Sequence, residues 1–531
     1  MSGAFTVVVV GRDAPLWLAA AALARALGAS GVRVEAVELP SGLAPVDFYA
    51  TFPALEALHS QLRIDEAGVL RATGGSLMLG QNFVELEPSA IEPNQIPGEG
   101  RGPAASGLEE RASAAEVASN LGPGLRRGSA SEAVGAQSQP AFLHAYGSAG
   151  TRIGEDEFFP HWVKARAYGL SVPLDDFSLT AAAARHGRLM LPDDQSASYG
   201  RCDYGYHLPA TAYARLLRET AIRHGVIVHA ADAVTPARQG ETITALDLGE
   251  GRRLTGDLFV DAGGALDTDF LSWRAHFPAD RVLTAAGPAF ANLPVYAENR
   301  AGPTGWTALH PSRPATFVTH VWSSAHASDD EALAAATTAA GLPLTGAVIR
   351  TLDPGRPAQP WTGNQVTLGA RFDPVHGLDL LGLQVSLVQL LADFPASAGF
   401  AAERDAYNRA TTEALDRLRD FQSAHYALAR YAGPFWQGAC EVSPDLAHAI
   451  ALFRARGELA PFEEENLPPD SWRALFLGHG VEPESWPPAI DRVPPEEVKA
   501  QFRHMLGFVR EQVLRQPMQD AWLARLAAPQ S

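Results

Sequence analysis

Gly11 and Glu38 stand where a chain would touch a dinucleotide. Gly11 closes the run Val7–Val10, Trp17 lies at the head of an alanine-rich run, and Glu38 ends the segment Gly31-Val-Arg-Val-Glu-Ala-Val-Glu38. A strand, a glycine turn and a helix offer backbone N–H groups to a pyrophosphate, and a carboxylate ending the next strand suits a ribose hydroxyl. A second strand end of this kind is Asp261-Ala-Gly263-Gly264, with Gly369 ending a later segment. His376 offers a base for an aromatic ligand. His161, Trp162, Trp306 and Trp361, with Trp436, Trp472 and Trp486, offer aromatic faces, although core packing is the usual role of tryptophan. Only Lys164 and Lys499 are lysines, so a lysine-dependent mechanism has two candidates.

The elements that position these groups follow from local pattern. Four consecutive valines are too short for a helix and read as a buried parallel strand. Leu18-Ala-Ala-Ala-Ala-Leu-Ala is a strong helix former. The turn between them departs from G-x-G-x-x-G: Asp13 and Leu16 occupy the second and third glycine positions. Asp13 adds negative charge where phosphates would lie, and Pro15 removes a donor. The scaffold suits a flavin or nicotinamide, while the altered turn argues against a firm phosphate grip.

Further on, the pattern predicts a helix over 211–224, a strand over 225–229 and a hairpin-like pair over 242–248 and 253–260. Strands follow over 304–324, then helices over 379–393, 407–431 and 496–516. Asp379 is expected to cap its helix. Residues 88–140, rich in Pro, Gly, Ser, Ala and Glu, read as a flexible insertion with a short helix near 109–120. The 531 residues can bury a large core. A net charge of −18 argues against nucleic acid or an anionic membrane as partner. No apolar run is long enough for a membrane span. Cys202 and Cys440 allow no disulfide framework or cysteine metal site; they fit core thiols in a reducing cytoplasm, with no metal bound.

Apart from the insertion, the chain resembles the flavin-dependent tryptophan halogenases from end to end. The matches are the strand–turn–helix with Trp17, Leu70-Arg-Ala-Thr-Gly74, Tyr206-His207 leading into Tyr213-Ala-Arg-Leu-Leu-Arg218, and Asp257-Leu-Phe-Val-Asp261-Ala-Gly-Gly264. They continue through Gly305-Trp306-Thr307, Trp361-x-x-Asn364-x-Val-x-Leu-Gly369 and Asp416-x-x-x-Asp420-Phe-Gln-Ser-Ala-His425-Tyr426. The last is Trp472-x-x-x-Phe-x-Gly478-His-Gly480-x-x-Pro483. The resemblance implies an α/β flavoprotein of the two-dinucleotide-binding-domain type. Residues 1–87 and 200–400 would form the FAD-binding-like box, and 141–199 with 401–531 a mainly helical, substrate-side pyramid. Gly11, Asp13, Trp17, Glu38, Ala50, Asp261, Gly263 and Gly369 then fall at FAD positions. His161, Trp162, Trp306 and Trp361 fall on the substrate side.

The family's chemistry runs on reduced FAD, O₂ and halide. Here Met78 stands at the family lysine and His376 at the family glutamate, within Asp373-Pro-Val-His376-Gly-Leu-Asp379. A thioether cannot donate a hydrogen bond to hypohalous acid and is itself easily oxidised. Leu378-Asp379 replaces the halide-binding Thr-Gly, setting a carboxylate against an anion. Tyr49 stands at the glutamate of the flavin segment, and one tryptophan of the Trp-x-Trp-x-Ile-Pro signature is Ala308. Scaffold positions stay while chemical positions change. The resulting expectation is a protein without halogenase activity, acting as a non-catalytic binding subunit or as partner of an active halogenase paralogue or of a second copy of itself. Two alternatives stay open: an FAD-dependent halogenase or monooxygenase acting on tryptophan or indole-like aromatics, and a flavin or aromatic-ligand binder without turnover.

Overall fold

The computed structural model describes residues 5–86, 141–193, 202–395, 400–438 and 440–527. The expected insertion and its short helix fall outside these. At the centre lies a sheet ordered Trp361–Thr362, Gln365–Thr367, Leu258–Ala262, Thr6–Gly11, Arg33–Glu38 and Ile227–Ala230. All its neighbours run parallel except the short pair Trp361–Thr362 and Gln365–Thr367. The valine run is apolar throughout because both faces are covered. Val7 and Val9 face the core that holds the helix Asp13–Leu27, whereas Val8 and Val10 pack with Ile243, Leu246 and Phe259. The alanines of that helix let it lie close to both the sheet and the helix Ala210–Arg223.

The register sets Gly11 opposite both Glu38 and Ala262. The cofactor-type residues thus meet at the carboxyl ends of adjacent parallel strands, where open α/β sheets bind ligands. Gly11 has no room for a side chain: a Cβ there would lie 2.2 Å from the Ala262 carbonyl oxygen.

One sequence expectation is corrected here. Arg253–Leu254 pairs antiparallel with Thr242–Asp247, but Leu258–Ala262 leaves that hairpin and runs parallel to the opening strand. The difference lies in burial. Leu258–Ala262 is buried on both faces, while Thr242–Asp247 has three exposed residues. The Asp257 carboxylate, accepting the Thr6 N–H at 2.8 Å, fixes the departure point.

A second sheet runs Thr345–Thr351, Arg281–Gly287, Thr316–Trp322, Gly305–Pro311, Ala297–Gly302, Gly80–Glu85 and Phe142–Ala145. A small one joins Phe48–Ala50, Gly205–Pro209 and Ser76–Met78. Helices Phe158–Ala167, Ala401–Ala427, Pro444–Arg456, Pro469–Gly478 and Pro495–Leu514 close the molecule around an aromatic core. The helix expected over 407–431 spans Ala401–Ala427 instead. Beyond it, Gly433 at φ +124° and Pro434 cannot continue a helix. Among the described residues, no helix is long and apolar enough to cross a membrane, and no cluster of His, Cys, Asp or Glu could hold a metal ion.

Candidate functional site

Asp13 opens the first helix with left-handed backbone, φ +56°. Its carboxylate accepts the Ser41 hydroxyl at 2.6 Å and the Gly42 N–H at 3.0 Å, which ties the 41–42 loop to the turn. Leu16 is fully buried, and its Cβ lies 3.5 Å from where a Cβ on Gly11 would stand. The Tyr49 hydroxyl lies against the backbone N–H of Ala14 in the first helical turn. Burial, and then the carboxylates of Asp13, Asp379 and Asp47, push its ionisation far up, so it stays a neutral phenol.

Glu38 ends its strand as expected, but its carboxylate is engaged. Arg218 donates to both of its oxygens at 3.0–3.1 Å, and the same guanidinium sits 5.4 Å from the centre of the Trp17 ring. Asp261 accepts the N–H groups of Ala265 (2.8 Å) and Leu266 (2.9 Å), closing its own turn through Gly263 and Gly264, both at positive φ. Burial pushes its carboxyl up to about 6. Gly369, at φ +77°, donates its N–H to the Ser386 hydroxyl at 3.1 Å.

Met78 is fully buried at the end of its strand, opposite Gly205, in the same apolar core as Ala50, Phe52, Phe83 and Trp306. His376 ends the short turn Pro374–His376. Gln422 holds that turn: its Oε1 accepts the Asp373 N–H at 3.0 Å, and its Nε2 donates to the Asp373 carbonyl at 2.7 Å. With the amide so oriented, Nε2 also donates to Nδ1 of His376 at 3.2 Å, which puts the imidazole proton on its own Nε2. That atom is buried with no partner. The Tyr426 hydroxyl donates to Asp373, and Gln81 donates to the His376 carbonyl at 3.1 Å.

Three further histidines surround His376. His425 stacks on it at 4.6 Å between ring centres and on Phe83 at 4.6 Å, and its Nδ1 lies 3.1 Å from Nε2 of His479. His144 is buried nearby against Phe421 and Tyr146. Burial lowers all four, His376 and His479 to about 3 and His144 to about 4, and mutual repulsion adds to the shift of His376 and His425. The neutral rings of His376 and His425 stack on Phe83, while His479 meets Phe142 edge-on and His144 lies tilted against Phe421, so the four fill the site as a buried plug. These residues come from four separated segments, so spacing could not group them; His425 and His479 were visible only inside family-like motifs.

On the substrate side, His161 is buried, with Nε2 3.9 Å from Asp156, and Trp162 donates its indole N–H to the Val172 carbonyl at 3.0 Å. Trp306 packs edge-on against Phe83, Tyr431 and Trp436, which connects it to the histidine cluster. Trp361 is not brought there: it packs with Tyr407 and Phe400 in the core of the parallel sheet, its indole N–H on the Gly363 carbonyl. Lys164 pairs with Asp491 and Lys499 with Glu496, in neither case at this site.

Asp379 requires a second correction. Leu378 is the helix cap, and Asp379 is the first helical residue. Its carboxylate turns back to accept the Phe372 N–H at 3.1 Å, because the tight left-handed Gly377 brings the chain around toward Phe372. Gly377 itself abuts Ala50: a Cβ would lie 2.7 Å from the Ala50 carbonyl oxygen, at φ +71°. Gly377→Ala is therefore expected to destabilise the protein by about 2 kcal/mol or more. A urea midpoint equal to that of the parent chain would contradict this contact.

Between Phe48–Ala50, the sheet strands carrying Thr284, Thr319 and Arg350, and the turn 374–380 lies a cleft of ≈ 210 Å³. Thr284, Thr319 and Arg350 were not singled out from sequence as site residues, since no motif marks them.

Comparison with known proteins matches this architecture. The tryptophan halogenase family model aligns with residues 6–92 and 125–495. Tryptophan 7-halogenase KtzQ from Kutzneria sp. (strain 744) is 25% identical over 98% of both chains. Tryptophan 6-halogenase ThaL from Streptomyces albogriseolus is 27% identical over 48% of this chain, a match spanning only about half (52%) of that relative. Among solved structures, BrvH, a flavin-dependent halogenase from Brevundimonas sp. BAL3, superposes with a TM-score of 0.81 at 28% identity, covering 98% of this chain and 99% of its own. Xcc4156, a flavin-dependent halogenase from Xanthomonas campestris, gives 0.81 at 25% identity over 98% of each. Overall superposition and the family match across both aligned segments converge: the chain belongs to the tryptophan halogenase family.

Proposed function

We propose that this protein keeps the family scaffold without its halogenation chemistry and serves as a non-catalytic binding or partner protein, in a complex with an active relative or with a second copy of itself. The observation that carries this reading is the start of the first helix. There, the Asp13 carboxylate, held by the Ser41 hydroxyl and the Gly42 N–H, adds negative charge at the turn that would face a pyrophosphate, and the Tyr49 phenol lies close to the Ala14 N–H. A diphosphate brought to that place meets a negative charge. The residues present do not fit FAD there. Glu38, the ribose-type acid, is held by Arg218, and the 376–378 turn closes on Ala50. The chemical positions agree: Met78 offers no charge or donor, and His376 is a neutral ring in a packed cluster.

Relatives named as tryptophan 6- and 7-halogenases make an indole-like aromatic the favoured ligand class. A retained flavin enzyme, halogenase or monooxygenase, is the second reading. It is favoured by the intact register that sets Gly11, Glu38 and Asp261 at neighbouring strand ends. Titration with FAD followed by desalting separates the two. We expect no flavin absorbance to remain with the protein and no saturation below about 100 µM. Stoichiometric yellow protein would overturn the proposal and make turnover with a reductase and halide the next measurement.

A further inference from the structure

The cleft beside Tyr49 has an unusual polar lining. Asp47 and Arg350 satisfy each other through bonds of 3.0 and 2.8 Å, and the Thr284 hydroxyl donates to Asp47 at 2.9 Å. Two groups are left over. The Thr319 hydroxyl is fully buried on its strand, lines the cleft and has no hydrogen-bond partner. The Asp379 carboxylate also lines it, with one hydrogen bond from the Phe372 N–H. Around Tyr49 the field is negative, from Asp13, Asp47 and Asp379, and the single cation of the lining, Arg350, is already paired with Asp47. The remaining walls are apolar, including Phe48, Val282 and Leu380.

A buried hydroxyl without a partner and a sparsely bonded carboxylate both lose free energy until a ligand donates to them. An anion would be repelled. We propose that this cleft binds a protonated amine carried on a compact aromatic or apolar body, with the Asp379 carboxylate as counter-ion and the Thr319 hydroxyl as acceptor of an N–H. The inference rests on the reading that FAD no longer fills this region. It adds to that reading the charge and class of the ligand that replaces it.

The test is calorimetric titration of the full chain at neutral pH and low salt with tryptamine. Indole-3-propionate serves as the ligand of opposite charge. Tryptamine is expected to saturate and indole-3-propionate is not. Asp379→Asn keeps an acceptor for the Phe372 N–H, so the fold should persist, and it should weaken tryptamine binding about 10-fold or more. Thr319→Val, close to isosteric, should weaken it by about 3-fold. Failure of tryptamine to saturate, equal affinity for indole-3-propionate, or unchanged affinity in a folded Asp379→Asn variant would each overturn the assignment. FAD titrated in parallel reports on flavin loss alone. With neither FAD nor tryptamine bound, the amine assignment falls while the non-catalytic reading stands.

Discussion

Met78→Lys is expected to destabilise the protein by about 3–5 kcal/mol, because an ammonium would be placed in a site with no water and no counter-charge. Met78 is fully buried and belongs to the same apolar core as Ala50, Phe52, Phe83 and Trp306. The polar groups near the end of the 374–376 turn are already engaged: Asp373 by Tyr426 and Val375, and Gln422 by Asp373 and His376. Adding His376→Glu should recover part of the loss by supplying a counter-ion. It also leaves Gln422 facing a carboxylate in place of an imidazole nitrogen. Neither variant is expected to halogenate an indole, since both leave the altered turn at Asp13 and Tyr49 unchanged. Urea denaturation gives the stability change. A Met78→Lys chain as stable as the parent would mean that the site is wet and that Met78 does not sit in a dry core.

The second large effect is acid lability. His59, His144, His207 and His320 are lowered to about 4, and His376 and His479 to about 3; His310 and His425 are also held well below their ordinary value, in every case first by burial. In the unfolded chain each takes a proton near pH 6.5. Their contribution is therefore fully present above about pH 6.5 and is lost as the pH falls toward the folded values. Asp203, Asp261, Asp373 and Asp379 act oppositely. Burial raises them to about 6, so they add stability on acidification from about 6 to 4. Burial also raises Glu66, Asp175, Asp420 and Glu465, so the acids offset part of what the histidines lose on acidification. With the histidines the larger effect, urea midpoints should fall between pH 6.5 and 5, and His425→Gln should make that fall shallower. Stability that is flat or rising across this window would show that the histidines are not buried neutral.

The fold was largely legible. The valine run, the alanine helix and the two strand ends carry their own periodicity and composition, and local pattern decides such elements. The hairpin over 242–260 misled because alternation reports burial on one face, and Leu258–Ala262 is buried on two. Asp379 looked like a cap because an acid preceding an amphipathic run usually is one. Its true partner, the Phe372 N–H, is supplied by the tertiary turn at Gly377.

The replacements at the chemical positions, Asp13, Tyr49, Met78 and His376, stood in the chain by themselves, because residue type at a motif position needs no coordinates. What they do together was decided by folding. Tyr49 reaches the first helix, and Arg218 reaches Glu38 across 180 residues. His376 and His425, from distant segments, stack on Phe83, and Thr319 is left without a partner beside Asp379. Local propensity acts between neighbours along the chain. Burial, charge pairing and the leftover hydrogen-bonding capacity of a cleft are set by residues that become neighbours only when the sheets and helices close on one another.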